Sequence, residues 1–249
     1  MEDLEKMTTD KKRWYIFEDT SFEGRPRSKW IIDCLLGDIQ TFFDGIEIFI
    51  KNKEKSGKRE GGGNLSVPIL ISTALEFVAA LYTGKTKYQS KKEGEKKYNA
   101  TDNVRTFIKD FFPKEYKNIP FLLWDGVRNG LVHSFYPKSF SFQRSSQRSE
   151  RYIQFQFYVE DKNISSHFKK DKDTICICIN VFELYRVVKK AIEDYLDKLK
   201  HDETLQDRFK KAWSSVEDYR DKADSNQLDE IKKLLDYLDS NSARPILGE

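Results

Sequence analysis

The spacing of apolar residues changes at Pro137 and changes back at Asn180, and this switch limits the chain to one kind of architecture. Before Pro137 they recur three or four apart, as in Trp30, Ile31, Cys34, Leu35, Ile39, Phe42, Phe43, Ile46 and then Phe49 or Ile50. Such spacing puts them on one face of a helix. After Pro137 they alternate: Phe140 and Phe142, then Ile153, Phe155, Phe157 and Val159, then Ile175, Ile177 and Ile179. A period of two belongs to strands with one buried face. From Asn180 a helical stripe resumes through Phe182, Leu184, Tyr185, Val187, Val188, Ile192, Tyr195, Leu196 and Leu199. The pattern predicts a mainly α protein, a helical bundle interrupted at about 138–180 by a small antiparallel β insertion.

Punctuation residues divide the helical part further. The first long helix is expected over 28–52, followed by a loop rich in lysine and glycine over 53–64. Ser66 with Pro68 just inside reads as a capped start for a helix over 66–82, and Gly84 ends it. Residues 85–100 are dense in Lys and Glu without periodicity and read as an exposed connector. A short helix is expected over 102–112 and stops at Pro113, and the next takes Tyr116 or Ile119 through about Phe135. The polar runs 144–150 and 161–173 read as loops of a meander. Asn180 suits a helix cap. In the last fifty residues, Leu205, Phe209, Ala212, Val216 and Tyr219 form one narrow stripe and Leu228, Ile231, Leu235 and Leu238 another, with a linker over 221–226. They predict a C-terminal helical hairpin with near coiled-coil spacing, an accessory element that could engage a protein partner. The division expected is an N-terminal arm over 1–27, a helical domain over 28–200 carrying the β insertion, and the hairpin with its tail over 201–249.

Charge and cysteine content narrow the function classes. The 249 residues carry 44 basic and 41 acidic side chains, a net charge of +3, so nucleic-acid contact has to come from local patches. Three cysteines without framework spacing fit a reducing cytoplasm. The first thirteen residues have no apolar core and exclude a secretory signal. The apolar run 67–82 is short for a membrane span and carries Glu76 near its middle, which makes it a buried helix and leaves no membrane role.

The chemistry concentrates at Arg128, Asn129, Gly130, Leu131, Val132 and His133, a polar cluster inside an apolar run that begins at Ile119. Polar groups in such a place need partners or a task. Arg128 offers a planar set of donors for two phosphoryl oxygens. His133 has a side chain whose ordinary pKa allows proton transfer near neutrality. On a regular helix, positions five apart lie about 140° around the axis and about 7.5 Å along it, so the two would flank a cleft rather than stack. Glu76 needs a partner of its own and is the preferred anion for Arg128; Asp125, three residues before the arginine, competes by spacing.

Arg128, Asn129 and His133, on a core helix late in a helical bundle, resemble the Arg-x4-6-His signature of the HEPN superfamily, in which a polar residue such as Asn often follows the Arg. The resemblance covers roughly residues 28–200, with the strands as an insertion before the final bundle helix. It implies a HEPN-like helical bundle and a metal-independent endoribonuclease, with no cofactor, acting on RNA in a cleft of a homodimer in a toxin or defence setting. Arg128 and His133 would then be catalytic, with Asn129 donating to phosphate or ribose. Glu76 resembles an acidic residue found on a neighbouring helix in many members. Toxin members often carry His-x-Tyr; here Tyr136 stands one place later, after Ser134 and Phe135.

Other features carry less. Thr83, Gly84, Lys85 and Thr86 imitate the end of a phosphate loop, but Ala79 replaces the required glycine and the segment follows a helix. Cys176 and Cys178 face one side of a strand with no further ligand nearby and read as apolar filling rather than metal ligands. Arg144, Arg148, Arg151 and Tyr152 interleave cations with an aromatic, a pattern that can grip RNA, although a solvated sheet edge has the same composition. Two readings outside catalysis stand beside the enzyme: a non-catalytic interaction module in which the polar cluster fixes helix register, and a nucleotide- or RNA-binding module using the same cleft.

Overall fold

The computed structural model describes residues 24–56, 65–89, 98–131, 137–142, 151–158, 169–170, 174–219 and 224–241, together with residues 11, 14, 15, 17 and 18. It is mainly helical with a small sheet. A long helix, α1, runs through Arg27–Trp30, a π-helical turn at Ile31–Leu36 and Gly37–Ser56. The wide turn explains its burial pattern: Ile31 and Leu36, five apart, are both buried, after which Ile39, Phe43 and Ile46 return to steps of three and four. The Tyr185 hydroxyl donates to the Leu36 carbonyl at 3.0 Å and ties this turn to the core.

The second helix, α2 (Ser66–Thr83), is the centre of the molecule. It packs against α1, α3 (Ala100–Phe111), α6 (Val181–Leu199) and α7 (Glu203–Glu217). Val67, Ile71, Ala74, Leu75, Val78, Ala79 and Leu81 are buried, so it is apolar on nearly every side for a reason. By length and composition it could cross a membrane, but most of its surface is buried by the other helices. Ser66 is its first helical residue and makes no capping bond, since Leu65 holds the cap position; the capped start expected at Ser66 does not form. Gly84 ends it with φ +70°, a left-handed conformation that glycine adopts without strain.

The connector after α2 is fastened rather than loose at its described ends. Thr86 is buried with its hydroxyl 2.7 Å from that of Ser215, Tyr88 packs on Tyr219 with ring centroids 4.2 Å apart, and Asn103 donates to the Lys85 carbonyl at 2.9 Å. The Asn99 side chain accepts from the Thr101 amide and starts α3 two residues earlier than the periodicity suggested. A short turn α4 (Lys114–Lys117) and α5 (Pro120–Trp124) follow; α5 continues into a second π-helical turn, Asp125–Asn129.

The sheet orders its strands β1-β2-β4-β3, with β1 Phe140–Phe142, β2 Arg151–Tyr158, β3 Lys169–Lys170 and β4 Thr174–Asn180. The antiparallel meander is corrected here: β2 and β4 run parallel, in register from Tyr152↔Thr174 to Tyr158↔Asn180. Parallel neighbours need a long connection, and the stretch between these two strands supplies it, with β3 pairing antiparallel to β4 on the far edge. Ile153, Phe155, Phe157, Ile177 and Ile179 pack on the helical core.

The C-terminal hairpin is also revised. Leu205, Phe209, Ala212 and Trp213 of α7 are buried, and α7 packs along α2 as part of the core, anchored by Arg27, which forms a two-pronged ion pair with Glu217 at 3.1 Å. Only α8 (Ser225–Asn241) keeps the character expected of an accessory element, with Leu228, Ile231, Leu234 and Leu235 about half exposed.

Candidate functional site

The second π-helical turn lies against α2, and Glu76 and Arg128 meet across that contact. Pro120 starts the helix, since a first-turn residue needs no amide hydrogen, and Leu123, Trp124 and Val127 bury its inner face. The turn widens at Asp125–Asn129, so the regular-helix spacing assumed for Arg128 and the residues after it does not hold through this segment. π turns leave carbonyls to be satisfied from elsewhere. Here the Lys138 amide donates to the Gly126 carbonyl at 3.0 Å, which brings the chain after Pro137 back beside the turn.

Arg128 Nη2 donates to Glu76 Oε2 at 3.1 Å and Nη1 to Asn129 Oδ1 at 3.0 Å, while the guanidinium carbon stands 5.9 Å from the Trp124 ring centroid. Between the two anions weighed for Arg128, the geometry takes Glu76. Asp125 instead accepts from Asn129 Nδ2 at 2.5 Å and from Lys138 Nζ at 3.3 Å. Two cations and two carboxylates therefore alternate along one chain of hydrogen bonds with Asn129 as the link. The side chains of Arg128 and Glu76 retain 26% and 27% of their accessible surface, so the pair is held in place yet reachable from solvent.

Tyr98 completes the cluster. It lies close enough to feel both charges of the pair: its ionisation is pushed up to about 12, first by burial and then by the Glu76 charge, with Arg128 opposing. Neither Tyr98 nor Lys138 was visible as a site residue from sequence. Tyr98 sits in a stretch without periodicity, and its one local signal is its place beside the Asn99 cap; Lys138 has only its place after Pro137.

His133 and Tyr136 lie outside the described residues, as do Arg144 and Arg148. Arg151 and Tyr152 begin β2, paired with Phe142 and Ser141 of β1. As neighbours on a strand they point to opposite faces, and Tyr152 is the exposed one. Cys176 and Cys178 share a face of β4 with their sulfurs 3.4 Å apart, and Cys178 is buried.

As a chemical arrangement, the π turn presents a guanidinium that is stacked near an indole, oriented by a carboxylate and an amide, and partly open. A fixed planar cation of this kind suits an oxyanion with two acceptor oxygens. No family model, curated protein or solved structure matches this chain.

Proposed function

We propose that this chain is a metal-independent endoribonuclease of HEPN type that cleaves single-stranded RNA in a toxin or defence setting. The observation that carries the reading is the Arg128 guanidinium, oriented by Glu76 at 3.1 Å and by Asn129 at 3.0 Å in a half-open π turn of the core. Arg128 would hold the non-bridging oxygens of the scissile phosphate and stabilise the charge that grows on them. His133 would take the proton of the 2′-OH as that oxygen attacks phosphorus, and the second protomer's copy of this histidine would protonate the departing 5′ oxygen. The products are a 2′,3′-cyclic phosphate and a 5′-hydroxyl.

Incubation of single-stranded RNA with the purified protein in excess chelator tests this. Cleavage is expected, and Arg128→Ala and His133→Ala are each expected to lower kcat/KM by at least about a hundredfold, the scale for loss of one transition-state donor, at unchanged melting temperature. Intact RNA with the wild-type chain would sink the enzyme. The alternative is a non-catalytic interaction or RNA-binding module whose polar chain only fixes helix register, and it draws on the fact that Arg128 already has its anion. Under it, Arg128→Ala lowers the melting temperature by several degrees and no RNA is cut.

A further inference from the structure

Ile177 and Ile179 of β4 pack on the helical core together with Phe155 and Phe157 of β2. Alternation along the strand therefore puts Cys176 and Cys178 on the outer face of the sheet, beside their register partners Gln154 and Gln156. Their sulfurs are 3.4 Å apart and neither is in a disulfide. Cys176 is partly exposed, whereas Cys178 is buried. One thiol is thus within reach of a small solute and the second stands against it, which is the layout of thiol–disulfide exchange: an accessible thiolate attacks and its neighbour resolves. Gln156 fixes the order. Its amide oxygen accepts from the Cys178 thiol at 4.0 Å, which favours the neutral form there and leaves Cys176 to ionise.

Geometry also sets how firmly a bridge between them would hold. Residues two apart on a strand have Cα atoms about 6.6 Å apart, near the longest span that a disulfide closes. β4 is paired on both sides, by β2 and by β3, and cannot shorten without straining those ladders. A bridge closed against that resistance is easily reduced again. We propose that Cys176 and Cys178 are a reversible exchange site for low-molecular-weight disulfides of the glutathione class. The Cys176 thiolate attacks one sulfur of the small disulfide, forms a mixed disulfide and releases one small thiolate. Cys178 then gives up its proton and attacks Cys176 Sγ, closing the protein disulfide and releasing the second. The protein loses two electrons and two protons, and the small disulfide leaves as two thiols. Excess small thiol runs the steps backwards. None of this depends on whether the chain cuts RNA.

The test treats the reduced full chain with glutathione disulfide, quenches with acid, alkylates the remaining thiols and maps them by mass spectrometry. Alkylation of Cys176 and Cys178 is expected to be lost together, in one peptide lighter by two hydrogens, while Cys34 of α1 stays alkylated or carries only a glutathione adduct. Excess reduced glutathione is expected to restore both thiols. Cys178→Ser is expected to stop at a glutathione adduct on Cys176, and Cys178 in Cys176→Ser to react at least about tenfold more slowly than that Cys176 does. The wild-type chain decides the matter even if a variant fails to fold: Cys176 and Cys178 both still alkylated after treatment overturn the proposal. So does a bridge that persists in excess reduced glutathione, which marks a structural disulfide. Equal adduct rates in the two single variants overturn the assigned order of attack.

Discussion

A β-carbon on Gly126 would stand 2.3 Å from Phe155 Cε2 and 2.8 Å from two further atoms of the same ring, closer than side-chain carbons pack. The π turn that carries Arg128 thus rests on the sheet through a ring laid against bare backbone. Gly126→Ala is expected to cost about 1–3 kcal/mol in denaturant unfolding, the usual scale for overpacking, and Phe155→Leu in the same chain should restore part of it. Unchanged stability would mean that the ring moves aside freely. Sequence revealed the polar cluster, with Arg128, Asp125 and Glu76 marked by charge and Asn129 by polarity in apolar surroundings. It could not reveal Gly126 against Phe155, Lys138 against Asp125 or Tyr98 near Glu76, because each brings together residues distant along the chain that no local pattern encodes.

Asn180 shows how one element hands over to the next. It closes β4 and starts α6, its side-chain oxygen accepting from the Phe182 and Glu183 amides at 2.9 and 3.2 Å, and it is buried. Asn180→Ala should cost about 1–2 kcal/mol in an equilibrium unfolding series, since it leaves two amides of a buried helix start without their acceptor. A value near zero would show that the cap is replaced by solvent. This junction was legible from sequence, because the cap and the stripe after it are local. The strands were legible as strands, but period two is the same for parallel and antiparallel pairs, so the parallel β2–β4 ladder was not. Likewise α7 and α8 both carry apolar stripes, and periodicity does not say that one is buried along α2 and the other left half exposed.

Over the whole molecule, aromatic side chains knit the helices together. Tyr82, Phe107, Phe111 and Tyr195 meet in edge-on and tilted pairs with centroids 4.8–5.9 Å apart, and the Tyr82 hydroxyl donates to Asp110 at 2.5 Å. Burial pushes the ionisation of Tyr82 and Tyr98 up to about 12, with Asp110 and Glu76 adding to it, and raises that of Tyr185 and Tyr195. Below pH 10, the ordinary phenol value, folded and unfolded chains both keep these protons and stability is fully present. Above it the unfolded chain releases them first, so stability should fall as pH rises from about 10 toward 12. Denaturation midpoints across that range are expected to drop, and less steeply for Tyr195→Phe, whose hydroxyl is buried without a hydrogen-bond partner among the described residues. Equal slopes would rule out Tyr195 as a contributor. By itself the sequence determined the helical class, the place of the strands, the central apolar helix and the Arg128 cluster, because periodicity, caps and misplaced charge are local. Only the tertiary structure decided strand direction, the core role of α7, the π turn under Arg128 and the recruitment of Tyr98 and Lys138, because packing selects among partners that local patterns leave equivalent.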